Sequence, residues 1–269
     1  MNKLRFVSLG SGSSGNCYYV GTMSKGLLID AGIGIRNMKK RLVESGLDFG
    51  LIWGVLITHD HIDHIRSVGA VAARHHIPVY TTATIHKGIA RCPMLGDKII
   101  PSPHNIEKGE TIDIARFEVT AFAVSHDGSD NVGYTIQYNG KRFTVATDLG
   151  YICENSAPYI RQANYLVLEA NYDVHMLETG RYPRYLKNRI SSKTGHLSND
   201  EAAQFLAENY APHLSHIYLC HLSQENNMPE LAYHIVKREL TAKGITVGKD
   251  VQLHALPRTK ASDVFILET

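Results

Sequence analysis

The chain has 269 residues, 43% of them hydrophobic and 20% charged, with a formal net charge of +2. That length and apolar content can bury a full core in a single domain spanning residues 1–269, while the near-balanced charge gives no global field to draw in an acidic partner. No apolar run approaches the ~20 residues of a membrane span, and "FVSL" after Lys3 and Arg5 is too short for a signal-peptide core, so a cytoplasmic protein with no membrane partner is expected.

Taken in chain order, apolar runs rich in β-branched residues and bounded by turn residues predict strands at "LRFVSL", "CYYV" and "GLLID". Between the first two lies "GSGSSG", residues 10–15, which matches the dinucleotide-binding pattern G-x-G-x-x-G, with Asp30 at about the ~20-residue offset of a ribose-binding acid. That pattern needs a helix opening at its third glycine to face a pyrophosphate. A β-rich stretch follows instead, so the glycines read as a tight turn, leaving Ser11, Ser13, Ser14 and Asn16 as polar groups able to face a site.

Helical periodicity covers residues 36–45 and 64–75, with the strand "GVLIT" between them and "IPVYTT" after. Further strands follow at "FEVTAFAV", "VGYTIQY", "KRFTVAT" and "YLVLEA". Asn139-Gly140 joins the second and third of these as a type I′ hairpin, because both central residues must take positive φ. Ser198 and Glu201 form a capping box that starts a helix over 199–209. A helix over 230–243 opens at Pro229 and stops at Gly244, flanked by the strands "HIYLCH", "VQLHAL" and "VFILE". Strands in both halves, each followed by helices, predict a layered α/β protein of two similar halves.

Cys17, Cys92, Cys153 and Cys220 are scattered with no C-x-x-C pair, so reduced thiols are expected and a thiolate zinc site is not indicated. Most of the fifteen histidines, among them His75, His86, His213, His216 and His254, have no motif around them and read as surface or ordinary core residues. The exception is "THDHIDH", where His59, Asp60, His61, Asp63 and His64 crowd together directly after a strand. Imidazole and carboxylate are ligands for zinc, manganese and iron, and these positions cannot all face one side of a helix or strand. A loop lets them diverge onto two adjacent ions, His59 with His61 and Asp63 with His64.

The order H-x-H-x-D-H, followed by "VSHDG" with His126, "ATDLG" with Asp148 and "LCHLS" with His221, resembles the signature of the metallo-β-lactamase superfamily. The resemblance spans essentially the whole chain. It implies a four-layer αββα sandwich, two mixed β-sheets flanked by helices. It also implies that His59, His61 and His126 bind one divalent metal ion, that Asp63, His64 and His221 bind a second, and that Asp148 bridges them. The two ions would be Zn, Mn or Fe, holding a hydroxide between them for attack on phosphorus. Asp148 stands where zinc β-lactamases carry a cysteine, which argues against antibiotic hydrolysis. Cys220, by strand alternation, points away from its neighbour His221 and reads as a core thiol.

Residues 181–193 contain Arg181, Arg184, Lys187, Arg189 and Lys193 with no acid, interleaved by Tyr182 and Tyr185. That is the content expected for gripping a sugar-phosphate backbone and stacking bases, so Arg181, Tyr182, Arg189 and Lys193 are candidate phosphate contacts. His196 precedes the cap Ser198 and is expected beside a helix N-terminus, where it can donate to a phosphate or protonate a leaving alkoxide. Together, "SGSSGNCYYV", "THDHIDH", "VSHDG", "LEANYD" and "GHLSN" resemble the YycJ/WalJ group of the superfamily. The resemblance implies a 5′-to-3′ DNA exonuclease of the two-metal type, with DNA ahead of RNA as substrate and Asp63, Asp148 and His196 as the catalytic set. The alternatives are a small-molecule hydrolase acting on a cyclic phosphodiester or thioester, and a non-catalytic metal-bound protein that supports a DNA-repair or signalling partner.

Overall fold

The computed structural model describes residues 3–95, 100–101 and 103–269. The first half of the chain runs β1 (Leu4–Gly10), β2 (Cys17–Gly21), β3 (Gly26–Ile29), α1 (Ile35–Glu44), β4 (Ile52–Leu56), α2 (Ile62–Ile65), α3 (Val68–His75), β5 (Val79–Thr81), α4 (Ala83–Arg91) and β6 (Pro103–Asn105). It continues through β7 (Thr111–Ile114), β8 (Phe117–Ala123), β9 (Val132–Tyr138), β10 (Lys141–Ala146), α5 (Ala157–Arg161), β11 (Tyr165–Glu169), α6 (Val174–Thr179) and α7 (Arg184–Ile190). The last elements are α8 (Asn199–Glu208), β12 (His216–Cys220), α9 (Pro229–Ala242), β13 (Gln252–Ala255) and β14 (Phe265–Leu267).

The strands form two 7-stranded sheets, ordered β14-β1-β2-β3-β4-β5-β6 and β13-β12-β11-β10-β9-β8-β7. In each, one half is antiparallel and the other parallel, the change falling at β3 in the first sheet and at β10 in the second. The two halves of the chain therefore repeat one plan, as the alternation of strands and helices predicts. Helices lie outside the sheets: α1, α3 and α4 send Met38, Leu42, Val71 and Ile85 into the cluster that includes the first sheet's strands, and α8 and α9 send Ala203, Leu206, Ile235 and Val236 into a second cluster with Leu166 and Leu219. Among the described residues no helix is long and apolar enough to cross a membrane.

Each apolar run singled out in the sequence forms a strand, and the Asn139-Gly140 turn takes φ 48° and 78° as its type I′ geometry requires. The glycine-rich turn leads into β2 rather than a helix, which removes the dinucleotide reading. The helix expected over 64–75 is instead broken into α2 and α3. Ser67 interrupts it, because its backbone N–H donates to Ala31 O at 2.8 Å and its hydroxyl to Ile33 O at 2.6 Å, tying the chain to the segment after β3. Strands β6 and β7 and helices α4 to α7 were not expected; β6 is a Pro-led edge strand whose residues are all exposed, whereas Ile85 and Ile89, one turn apart and both buried, do mark α4 in the sequence.

The two sheets meet on aromatic side chains. Phe6 of β1 is fully buried, with its ring centroid 4.9 Å from that of Phe143 in β10 and 4.7 Å from that of Tyr218 in β12. Phe6→Ala should therefore cost about 3–5 kcal/mol, read as a lower midpoint in denaturant unfolding with an unchanged slope. A loss under 1 kcal/mol would mean that the sheets do not lock at this point.

Candidate metal centre

The parallel halves of both sheets place the C-terminal ends of β3, β4, β10, β11 and β12 along one edge, and ionisable residues cluster there. Asp30 follows β3, His59 and His61 follow β4, Asp148 follows β10, Glu169 ends β11 and His221 follows β12. Asp30, Asp148 and His221 all have left-handed backbones, with φ 61°, 54° and 52°. Such angles are disfavoured for residues with a Cβ, so neighbouring contacts must hold them. Asp30 accepts from Thr58 N at 2.9 Å, while the His221 N–H donates to Ser11 Oγ at 2.9 Å and its carbonyl accepts from Asn171 Nδ2 at 2.7 Å.

Helix α2 brings in Asp63 and His64, so these two come from a helical turn and not, as the sequence suggested, from a loop. It is pinned by Asn16 N–H donating to Asp63 O and Ala31 N–H donating to His64 O, both at 2.7 Å. Gly32 lies so close beneath that a Cβ there would fall 1.6 Å from Asp63 O. Only glycine permits that approach.

The inward-facing atoms form overlapping groups. His61 Nδ1 lies 3.1 Å from His59 Nε2 and 3.3 Å from His126 Nε2. Asp63 Oδ2 lies 3.5 Å from His64 Nε2 and 3.6 Å from His221 Nε2. Asp148 sits between these sets, its Oδ2 3.3 Å from His64 Nε2 and its Oδ1 3.8 Å from His126 Nε2 and 2.8 Å from His221 Nδ1.

The outward-facing nitrogens are committed elsewhere. His64 Nδ1 pairs with Asp30 Oδ2 at 2.7 Å, His126 Nδ1 donates to Gly195 O at 2.8 Å and His59 Nδ1 meets Thr58 Oγ1 at 3.0 Å. This is how metal-binding imidazoles are held, one nitrogen on a protein oxygen and the other presented to the ion. His221 is fully enclosed, yet neither ring nitrogen makes a well-formed hydrogen bond, even with Asp148 in contact. Inward nitrogens that face one another, together with two orphaned imidazole atoms, fit a divalent cation better than they fit hydrogen bonding.

Charge follows the same plan. Burial disfavours ionised Asp148 and Asp63, but His221 and His64 outweigh it for Asp148, and His64 foremost for Asp63, holding both carboxyls well below the usual range. Burial likewise opposes protonation of His64 and His221, yet Asp148, with Asp30 and Asp63 for His64, pushes both well above an ordinary histidine. His59 and His126 go the other way, lowered chiefly by burial and next to other imidazoles. Asp30 is raised, because burial there exceeds the pull of His64.

The glycine-rich turn contributes directly: Asn16 Nδ2 lies 2.9 Å from His64 Nε2, and Ser13 lines the cavity of about 210 Å³ over the centre. Tyr182, Arg189 and His196 line the same cavity, whereas Arg181 and Lys193 are exposed outside it. Arg189, expected as a phosphate contact, is forked onto Asp127. His196 lies two residues before Ser198, the N-cap of α8, as expected, with its Nδ1 2.7 Å from Glu169 Oε1. Asp60 stands apart from the cluster and accepts from Ser129 N. Cys220 is buried as expected, its thiol pushed up chiefly by that burial.

Sequence reasoning missed Glu169 and the true role of Asp30. Glu169 is fully buried and accepts from Leu149 N at 2.8 Å and Leu197 N at 3.2 Å as well as pairing with His196. Its carboxyl is lowered because His196 outweighs the burial cost. A signal was available: "GLLID", "FTVATD" and "YLVLE" each close an apolar strand with an acid, which has no place in a plain core.

Two outcomes follow. Asp30→Ala, which frees the His64 ring, should weaken metal affinity about 10- to 100-fold in a chelator competition titration. Because His64 and His221 hold protons that a metal must displace, loading Zn²⁺ at pH 7 should release about two protons per chain, and affinity should rise with pH until their raised pKa values are passed. Calorimetry in buffers of different ionisation enthalpy measures this. Zero release would mean that both rings are neutral.

A family model described as a Beta-lactamase superfamily domain matches residues 26–221, the span from β3 to His221. Exodeoxyribonuclease YycJ of Bacillus anthracis is 36% identical over 251 residues, covering 93% of this chain and 94% of that one. Exodeoxyribonuclease WalJ of Streptococcus pneumoniae is 34% identical over 250 residues, covering 93% of each. Among solved structures, the metallo-beta-lactamase fold protein YhfI from Bacillus subtilis superposes with a TM-score of 0.72 at 16% identity, over 98% of this chain and 100% of that one. Zn(2+)-bound PqqB from Methylobacterium extorquens gives 0.71 at 17% identity, over 96% and 99%; both likenesses concern the fold. The chain belongs to the β-lactamase superfamily, with the metallo-β-lactamase fold, in the family that contains YycJ and WalJ.

Proposed function

We propose that this protein is a metal-dependent 5′-to-3′ DNA exonuclease acting in the cytoplasm. The observation that carries the reading is the pair of three-donor groups, His59–His61–His126 and Asp63–His64–His221, with Asp148 against both, in a chain 34–36% identical over 93% of its length to proteins named exodeoxyribonucleases. His59, His61 and His126 would hold one divalent ion, Asp63, His64 and His221 the other, with Asp148 between them, and Zn, Mn or Fe suits this all-nitrogen-and-oxygen set. Such ions, when bound, supply Lewis acidity at a phosphate and lower the pKa of water.

The remaining work falls to the chain. Glu169 holds the His196 ring through Nδ1, leaving Nε2 as the atom that passes a proton to the departing oxygen. Tyr182 lines the cavity and Tyr185 on α7 is 76% exposed, so bases can stack along the same basic arm that carries Arg181 and Lys193. A cavity of about 210 Å³ suits a chain end better than the middle of a duplex. Its small size also favours the second reading, hydrolysis of a small cyclic phosphodiester or thioester.

The test uses 5′-labelled and 3′-labelled DNA duplexes with Mn-loaded and Zn-loaded protein. Mononucleotides should leave from the 5′ end, and Asp148→Ala or His61→Ala should abolish the activity. Retained cleavage in both purified variants would assign it to a contaminant, and no cleavage of DNA by the wild type would transfer the reading to small esters. His196→Ala should keep its metal and lose about 10²- to 10⁴-fold in kcat.

A further inference from the structure

The guanidinium at the wall of the cavity is already engaged. Arg189 Nε lies 2.6 Å from Asp127 Oδ2 and its Nη2 3.1 Å from Oδ1, a two-pronged pair of the kind guanidinium makes with carboxylate or phosphate. Asp127 Oδ1 is also 3.5 Å from His61 Nε2 and 3.4 Å from His126 Nε2, so one carboxylate serves both the arm and the centre. The side chains of Arg189 and Asp127 are 51% and 28% exposed. Half in water, such a pair is weak enough to be exchanged.

The other arm cations are placed differently. Lys187 Nζ donates to the carbonyl of Glu178 on α6, and Arg181, Arg184 and Lys193 make no ion pair among the described residues. Arg189 is thus the cation that both lines the cavity and is held by an acid at its edge. Helix α7, which carries it, rests on Tyr172 and Leu177 through Ile190 and Leu186, so the backbone can stay while the side chain moves. Departure of Arg189 does not strand Asp127, which keeps the His61 ring and contact with water.

We propose that Asp127 and Arg189 form an exchangeable latch in which a phosphate of the nucleic-acid substrate takes the Arg189 guanidinium over from Asp127. Arg189 then positions the backbone at the mouth of the centre, and Asp127 sets how readily it is released. A phosphodiester offers the same forked acceptor as the carboxylate it replaces, and a phosphate arriving beside Asp127 weakens the resting pair by like-charge repulsion. The proposal rests on the nuclease reading only for the identity of the phosphate donor.

Binding is measured apart from cleavage, by fluorescence anisotropy of a labelled single-stranded phosphorothioate oligonucleotide at several salt concentrations and saturating metal. Arg189→Ala should weaken binding about tenfold at low salt and reduce the slope of log Kd against log salt by about one. Arg189→Lys should restore the slope without the full affinity, since it keeps the charge and loses the fork. Asp127→Asn should tighten binding several-fold, and Asp127→Asn with Arg189→Ala should match Arg189→Ala alone. An unchanged slope in Arg189→Ala overturns the latch, as does weakened binding in metal-replete Asp127→Asn, which would make the pair a structural brace. Binding with the expected slopes but no cleavage of ordinary DNA sinks the nuclease reading and leaves the latch standing; absence of binding sinks both.

Discussion

Burial of charge where the two sheets meet is the constraint on which the rest of the molecule depends. Asp30, His64, Asp148, Glu169 and His221 are all at most 2% exposed, and an isolated ion in that position would be driven neutral. They persist because each lies against a partner of opposite sign or a backbone N–H, in a chain that runs from Asp30 through His64 and Asp148 to His221, Glu169 and His196. Removing one member would leave its neighbour both buried and unpaired. The lattice is therefore a structural element as much as a reactive one, and a bound cation would take over charge that imidazolium carries in its absence.

The same lattice shapes the backbone. Left-handed residues at Asp30, Asp148 and His221 turn the chain sharply at three strand ends, so that side chains leaving β3, β10 and β12 converge where ordinary strand continuation would spread them. Two sheets of one plan supply these ends on one edge. Neither sheet alone holds a complete donor set, since His59, His61, Asp63 and His64 follow the first and Asp148 and His221 follow the second.

The substrate-facing segment between β11 and α8 is hung from the centre at both its ends. Asn171 at its start donates to His221 O, and at its end Gly195 accepts from His126, Leu197 donates to Glu169 and the Lys193 carbonyl accepts from Ser125. Groups that would touch a nucleic acid and groups that would touch a metal thus share hydrogen bonds. A disturbance at either propagates to the other through one or two contacts, without any long-range pathway.

Periodicity and turn chemistry in the sequence determined which stretches become strands, where the Asn139-Gly140 hairpin lies and where the capped helix at Ser198 begins, because these are local consequences of alternation and φ preference. The density of ligand types in "THDHIDH" likewise marked the candidate centre without any structure. What local patterns do not contain is the partner of each side chain. Asp30 had the spacing of a ribose-binding acid and became the support of His64; Arg189 had the setting of a free cation and is forked onto Asp127; Glu169 had no motif and lies under His196. Those roles were decided only when the tertiary structure brought together residues 34, 62 and 27 positions apart, since a buried charge is defined by what surrounds it and not by its neighbours along the chain.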